Sequence, residues 1–182
     1  IDSLNFNPDG TIQKVIPTLR GVGLTNARSR IQIDRYSALQ GKGIGIEYLD
    51  KNNCFAGWKT LFSKSNTALI YNKVDFGNEK VVEITVRAKS AKGGVLVVRA
   101  DGTKGNIIAK VKIPRSAAWK NVRAQVLHAP QGVHALHVSL QSGADVEVDW
   151  IGFDGMPSMS QTRKVSSMAI TTDCCVSSPS CI

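Results

Sequence analysis

The chain has 182 residues, 42% of them hydrophobic, which suits one domain of ordinary size with flanking segments and excludes a wholly disordered chain. It contains no apolar run of the roughly 18 residues that a membrane-spanning helix requires, so no spanning helix is expected. The net charge of +9 invites a nucleic-acid reading, but Lys42, Lys64, Lys80, Arg99, Lys110 and Lys120 are scattered among apolar positions rather than clustered, which argues against it.

The chain opens on Ile1, with no basic-then-apolar leader, and residues 1–22 read as the end of a preceding segment. Within them Pro8-Asp9-Gly10 predicts a tight hairpin: proline presets φ and glycine accepts a positive φ. A single hairpin buries no core of its own. From Arg30 to Phe153 the period is two. RIQIDRY, GIEYL, TALIYNKVDF, KVVEITVRAKS, GVLVVRA, NIIAKVKI, WKNVRAQVL, GVHALHVSLQ and DVEVDWIGF are Val- and Ile-rich runs, several of them separated by glycine turns. Nine short strands and no sustained helical spacing predict an all-β fold, an antiparallel β-sandwich with a jelly roll as its natural form, over residues 30–155. Residues 156–182 are Ser- and Thr-rich without periodicity and read as a flexible tail. Three of the four cysteines, Cys174, Cys175 and Cys181, fall in that tail, and none pairs with Cys54 or another in a CxxC spacing that would suit zinc.

Alternation puts Gln32 and Asp34 on one face of the first strand of the sandwich. It puts Asp145, Glu147 and Asp149 on one face of the last, with Val146, Val148 and Trp150 opposite, so Trp150 is expected in the core. If first and last strands approach, these side chains converge. Two readings fit that spacing: hard oxygen ligands for Ca²⁺, or a solvated acidic stripe. Two carboxylates could also serve a glycosidase, but that chemistry needs a cleft that nothing in the sequence signals. Trp58 (GWKTLF) and Trp119 (SAAWKNVRA) sit among polar neighbours near predicted loop-strand junctions. Each is either a platform for a sugar ring or a rim residue closing the core. His134 and His137, three apart, are expected on opposite faces of a strand and hence not on one metal. Asp75-Phe76-Gly77 lacks the catalytic-loop pattern that would make it a kinase motif.

These residues carry a resemblance. RIQIDRYSAL resembles the opening strand of family 6 carbohydrate-binding modules, YNKVDFG their central segment and VEVDWIGF their closing strand, in the family's order. The preceding LNFNPDGTIQKVIPTLRGVG resembles the end of the propeller of family 43 glycoside hydrolases, typically arabinofuranosidases or xylosidases. The resemblance implies that residues 1–29 are the end of a catalytic domain plus linker, and that the catalytic residues lie upstream. It implies a non-catalytic module with a structural Ca²⁺ on Gln32, Asp34 and Asp149, although Gln32 and Asp34 stand where the family has glutamates. It also implies a sugar site walled by Trp119, with Trp58 in the place of the family's tyrosine. Glu147 falls where the family has a sugar-binding asparagine, and a carboxylate accepts but does not donate hydrogen bonds. The expected partners are a xylan- or arabinoxylan-type polysaccharide and the catalytic domain of the same polypeptide, with no nucleic acid and no membrane. The expected location is secreted, periplasmic or at the cell surface. The competing expectation is a structural sandwich that packs on the propeller and binds no sugar.

Overall fold

A computed structural model describes residues 4–15 and 22–155, so the expected tail and its three cysteines lie outside the described residues. Short strands come first: β1 (Thr25–Asn26), β2 (Ile31–Gln32) and β3 (Ala38–Gln40). Then follow β4 (Ile44–Asp50), β5 (Asn53–Phe62), β6 (Ala68–Asp75) and β7 (Glu83–Ser90). The chain continues through β8 (Gly94–Ala100), β9 (Ile107–Ile113), β10 (Ser116–Gln125), β11 (Val133–Gly143) and β12 (Val146–Asp154). One sheet runs β1-β6-β11-β8-β9, with β3 also on β6; the other runs β10-β7-β12-β5-β4, with β2 on β12. The β1–β6 pairing is parallel and every other pairing named here is antiparallel. The predicted all-β sandwich is the observed fold.

The period-two pattern explains why the two sheets face each other. In β7, Ile84, Val86 and Ala88 are buried while Glu83, Arg87 and Lys89 point the other way. In β9, Ala109, Val111 and Ile113 alternate with exposed Lys110 and Lys112. Between the sheets Phe62, Phe76, Phe153, Leu69, Leu96 and Ile151 are fully enclosed, each such side chain contributing roughly 1.5–3 kcal/mol. Phe76 meets Phe153 edge-on at 5.1 Å. Outside the sandwich, the predicted hairpin is present. The Asn7 amide donates to the Thr11 carbonyl (2.8 Å), and Asp9 accepts from both the amide and the hydroxyl of Thr11.

A β-bulge in β12 overturns expectations that assumed unbroken alternation. In β12 the register against β7 slips between Val148 and Trp150. Trp150 is therefore not core: it lies half-buried on the outer face, under the Arg30 guanidinium at 4.9 Å from the ring centre. Asp149, at the bulge, is buried rather than level with Glu147. Asp145 precedes the strand at φ 54° and pairs with Lys92, so the three acidic residues form no single stripe. A second slip, between β11 and β6, adds its extra residue to β6 between Tyr71 and Val74, so β11 keeps its alternation past His134 and Leu136. His134 therefore shares a face with buried Leu136, its ring edge-on to Phe76 at 6.4 Å, and His137 lies on the other face, the separation that alternation predicts. His134 Nδ1 is 2.7 Å from Asp101 Oδ2; that bond, opposed by partial burial, raises the imidazole above its ordinary value.

Besides backbone bonds, a buried side-chain bond from the other sheet ties down the segment after β2. The Tyr71 hydroxyl on β6 donates to the Ile33 carbonyl at 2.6 Å, and burial, with Asp34 and Tyr36 nearby, pushes that phenol well above its ordinary range. It therefore acts as a neutral donor across the core. Tyr71→Phe removes the donor and leaves a buried carbonyl to find another partner. Urea unfolding of the variant should show a loss of about 1–3 kcal/mol; an unchanged midpoint would mean that this bond does not hold the segment.

Candidate functional site

Sheet pairing builds a row of charge across the outer face of the second sheet. Glu47 on β4 lies opposite Lys59 on β5, and Glu147 on β12 lies opposite Lys89 on β7. Lys59 Nζ, its side chain only 10% exposed, contacts Glu147 Oε2 and sits 3.3 Å from Glu47 Oε2. Lys89 Nζ reaches the same Glu147 oxygen at 3.2 Å. Burial alone would lower the Lys59 pKa, but the bonds from Glu147 and Glu47 outweigh it and hold it above its ordinary value. The row ends on β10 at Trp119, half-buried, with Lys89 Nζ 5.1 Å and Arg87 Cζ 5.3 Å from its ring centre.

At the other edge the β4–β5 hairpin pairs Tyr48 with Trp58 directly across the ladder, and the rings stack at 4.3 Å and 27°. Trp58 is 39% exposed, large for an aromatic with a core available. Two hollows open beside this pair. One, of about 520 Å³, is lined by Tyr48, Lys59, Lys89, Arg87 and Trp119 among others. The other, of about 300 Å³, is lined by Trp58, Trp150, Arg30, Gln32, Asp34 and Asp149 among others. They share Leu49, Ala56 and Arg87 and so run on as one groove, with an indole in each stretch.

The sequence-expected site residues thus come together. Trp58 and Trp119 both line the groove, and Glu147 lies beneath it through Lys59 and Lys89. Sequence reasoning missed Tyr48, Lys59, Lys89 and Arg87. The signal for Tyr48 is the Asp50-Lys51-Asn52-Asn53 turn, which folds GIEYL back on GWKTLF and sets Tyr48 against Trp58. The cations read as a solvated strand face. Only their cross-strand partners distinguish them.

Gln32, Asp34 and Asp149 also meet, because β2 pairs with β12 and the Ile33 amide donates to the Asp149 carbonyl at 3.0 Å. Their surroundings do not fit a calcium ion. The Asp149 side chain, 6% exposed, takes a bond from the Arg87 guanidinium; Asp34, 13% exposed, is 3.5 Å from Arg35 Nε. Burial raises the Asp149 pKa, Arg87 opposes that shift, and Asp34 adds to it. Two carboxylates here face three guanidiniums, those of Arg30, Arg35 and Arg87. Ca²⁺ takes six to eight oxygen ligands, carboxylates, carbonyls and waters, that must be free to face the ion. Here the cation beside Asp149 is Arg87.

An indole face with fixed donors and acceptors beside it is an arrangement that can take a sugar: ring C–H groups lie on the aromatic and hydroxyls meet the charged side chains. Comparison with known proteins agrees. The profile of the carbohydrate binding module (family 6) matches residues 38–155. No curated protein sequence matches. Among solved structures, a family 6 module from Clostridium cellulolyticum in complex with xylose is 25% identical, with a TM-score of 0.62, over 71% of this chain and 99% of that one. The module CsCBM6-3 from Clostridium stercorarium, in complex with cellobiose, is 20% identical with a TM-score of 0.65, over 73% of this chain and 98% of that one. A family 43 arabinoxylan arabinofuranohydrolase from Bacillus subtilis, in complex with cellotetraose, is 20% identical with a TM-score of 0.67. It covers 85% of this chain, which spans 33% of the enzyme. The fold, the aromatic groove and the profile match over residues 38–155 lead to one conclusion: the chain belongs to family 6 of the carbohydrate-binding modules, non-catalytic domains that bind sugars.

Proposed function

We propose that the chain is the sugar-binding module of a secreted, hemicellulose-degrading glycoside hydrolase of the arabinofuranosidase or xylosidase kind, and that it holds the enzyme on xylan or arabinoxylan. The observation that carries the binding part is the groove flanked by Trp58 and Trp119. Each indole offers a flat apolar face; Lys59 and Lys89 donate to sugar hydroxyls, while Glu147 accepts and keeps both ammonium groups in place. Because these side chains hold each other, little further ordering is needed when a ligand arrives. Weak binding per site is sufficient where a linked catalytic domain engages the same polymer.

The parent enzyme is the finer part of the proposal. The alignment to the arabinofuranohydrolase extends over 85% of this chain, against 71–73% for the two isolated modules, so it takes in residues outside the sandwich. On this proposal residues 1–29 are the end of a catalytic domain and its linker. Leu4, Phe6 and Ile12 on the N-terminal hairpin are exposed, as expected of a surface that packs on such a domain. The same exposed residues favour the second reading, a sandwich that buttresses the catalytic domain without binding sugar. Finally, Arg87 secures Asp149 where the family resemblance implies a metal, so the fold is proposed to stand without calcium.

Calorimetric titration with xylo- and arabinoxylo-oligosaccharides should give saturable heat that Trp119→Ala abolishes. Absence of heat with the wild-type chain across both ligand sets would sink the sugar-binding proposal for those polymers and favour the structural reading. For the metal, the thermal midpoint should be the same in EDTA and in excess CaCl₂, whereas Arg87→Gln should lower stability by about 1–3 kcal/mol by stripping a buried carboxylate of its partner. A midpoint that rises with calcium would contradict the Arg87 account.

A further inference from the structure

The two stretches of the groove differ in how their charges are balanced. Around Trp119 the cations Lys59 and Lys89 are tied to Glu47 and Glu147, and Arg87 to Asp149. Around Trp58 the carboxylates of Asp34 and Asp149 lie at the floor, buried and already paired with Arg35 and Arg87. Arg30 is exposed, lines the same hollow, and forms no ion pair among the described residues. Its guanidinium instead rests 4.9 Å from the ring centre of Trp150. A guanidinium held on an indole keeps N–H donors available for a two-oxygen acceptor, and the stack limits the rotamer freedom otherwise lost on binding. The solvent-facing charge left over in this hollow is therefore positive, and it stands in the same hollow as an exposed aromatic platform.

We propose that the Trp58 stretch of the groove takes an acidic glycan, with the anionic group of one sugar on Arg30 and the sugar ring against Trp58. This rests on the sugar-binding reading above and narrows its ligand class. A ring carboxylate matches the guanidinium fork in shape as well as charge; a sulfate ester shares the charge. The excess of Lys and Arg over the whole chain, giving +9, adds long-range attraction for such a polymer.

The test compares, by calorimetry on the full chain, a uronate-bearing xylo-oligosaccharide, the same oligosaccharide with its carboxyl reduced to the alcohol, and a sulfated oligosaccharide. Each is titrated at low and at high salt into wild type and Arg30→Gln. Arg30 is exposed, so the variant should fold, and its thermal midpoint checks that it does. The wild type should bind the uronate ligand at least about tenfold more tightly than the reduced one, the order of one charge-assisted bond, with the margin shrinking as salt rises. Arg30→Gln should erase the margin, so that the uronate and reduced ligands bind the variant equally. Comparable binding of the sulfated ligand supports the site as a reader of anionic charge; weaker binding supports a reader of carboxylates. Equal affinity for uronate and reduced ligands in the wild type, or a margin that survives Arg30→Gln, overturns the proposal while leaving the sugar-binding reading in place. Failure of all three ligands to bind overturns both.

Discussion

The slip in β12 between Val148 and Trp150 is the constraint on which the site depends. In an unbroken strand Glu147 and Trp150, three apart, would stand on opposite faces. The extra residue lets Val146 and Val148 face the core, then returns Ile151 and Phe153 to it, while Glu147 and Trp150 both reach the outer surface. Asp149, the residue at the irregularity, is buried with Arg87 as its partner. One inserted position thus sets the floor of the second hollow and the ring that carries Arg30 on the same face as Glu147.

Pairing across strands then converts a scattered charge pattern into an ordered one. Glu47, Lys59, Glu147 and Lys89 come from four strands: register sets Glu47 level with Lys59 and Glu147 level with Lys89, and Lys59 reaches Glu147 diagonally, two positions from Leu61, which faces Glu147 across β5 and β12. Lys59 is nearly buried, where an isolated ammonium would be costly, and two carboxylates keep it charged. A face built this way resists rearrangement, because moving any one member leaves another unpaired. Rigid polar groups beside exposed indoles suit ligands that present both C–H surfaces and hydroxyls. The Arg87–Asp149 pair extends the logic to the floor, where a guanidinium supplies the positive charge that a metal would otherwise bring.

Much of the fold was legible because the core strands obey period two: β7 and β9 can be drawn from the sequence alone. Trp58 and Trp119 were legible as candidates because a large aromatic among polar neighbours is conspicuous. What the sequence hid was whatever depends on register. Alternation places Trp150 on the wrong face because a bulge has no compositional signature in VEVDWIGF, whereas it separates His134 from His137 correctly because the slip beside them adds its extra residue to β6. Tyr48 becomes a groove residue only once its hairpin partner is known, and Lys59 looks like any strand lysine until Glu147 is placed beside it. The calcium expectation depends on register in a related way. It matches oxygen ligands by position, while the Arg87 that pairs with Asp149 comes from 62 residues away in sequence.

The central claim, that sugar lies along the groove between the two edge aromatics, is tested most directly by following the indole N–H resonances of Trp58, Trp119 and Trp150 during titration with a xylo-oligosaccharide. The account predicts that the Trp58 and Trp119 signals move together and saturate at one ligand concentration. Saturable binding that leaves both of those signals in place and perturbs residues elsewhere would contradict it.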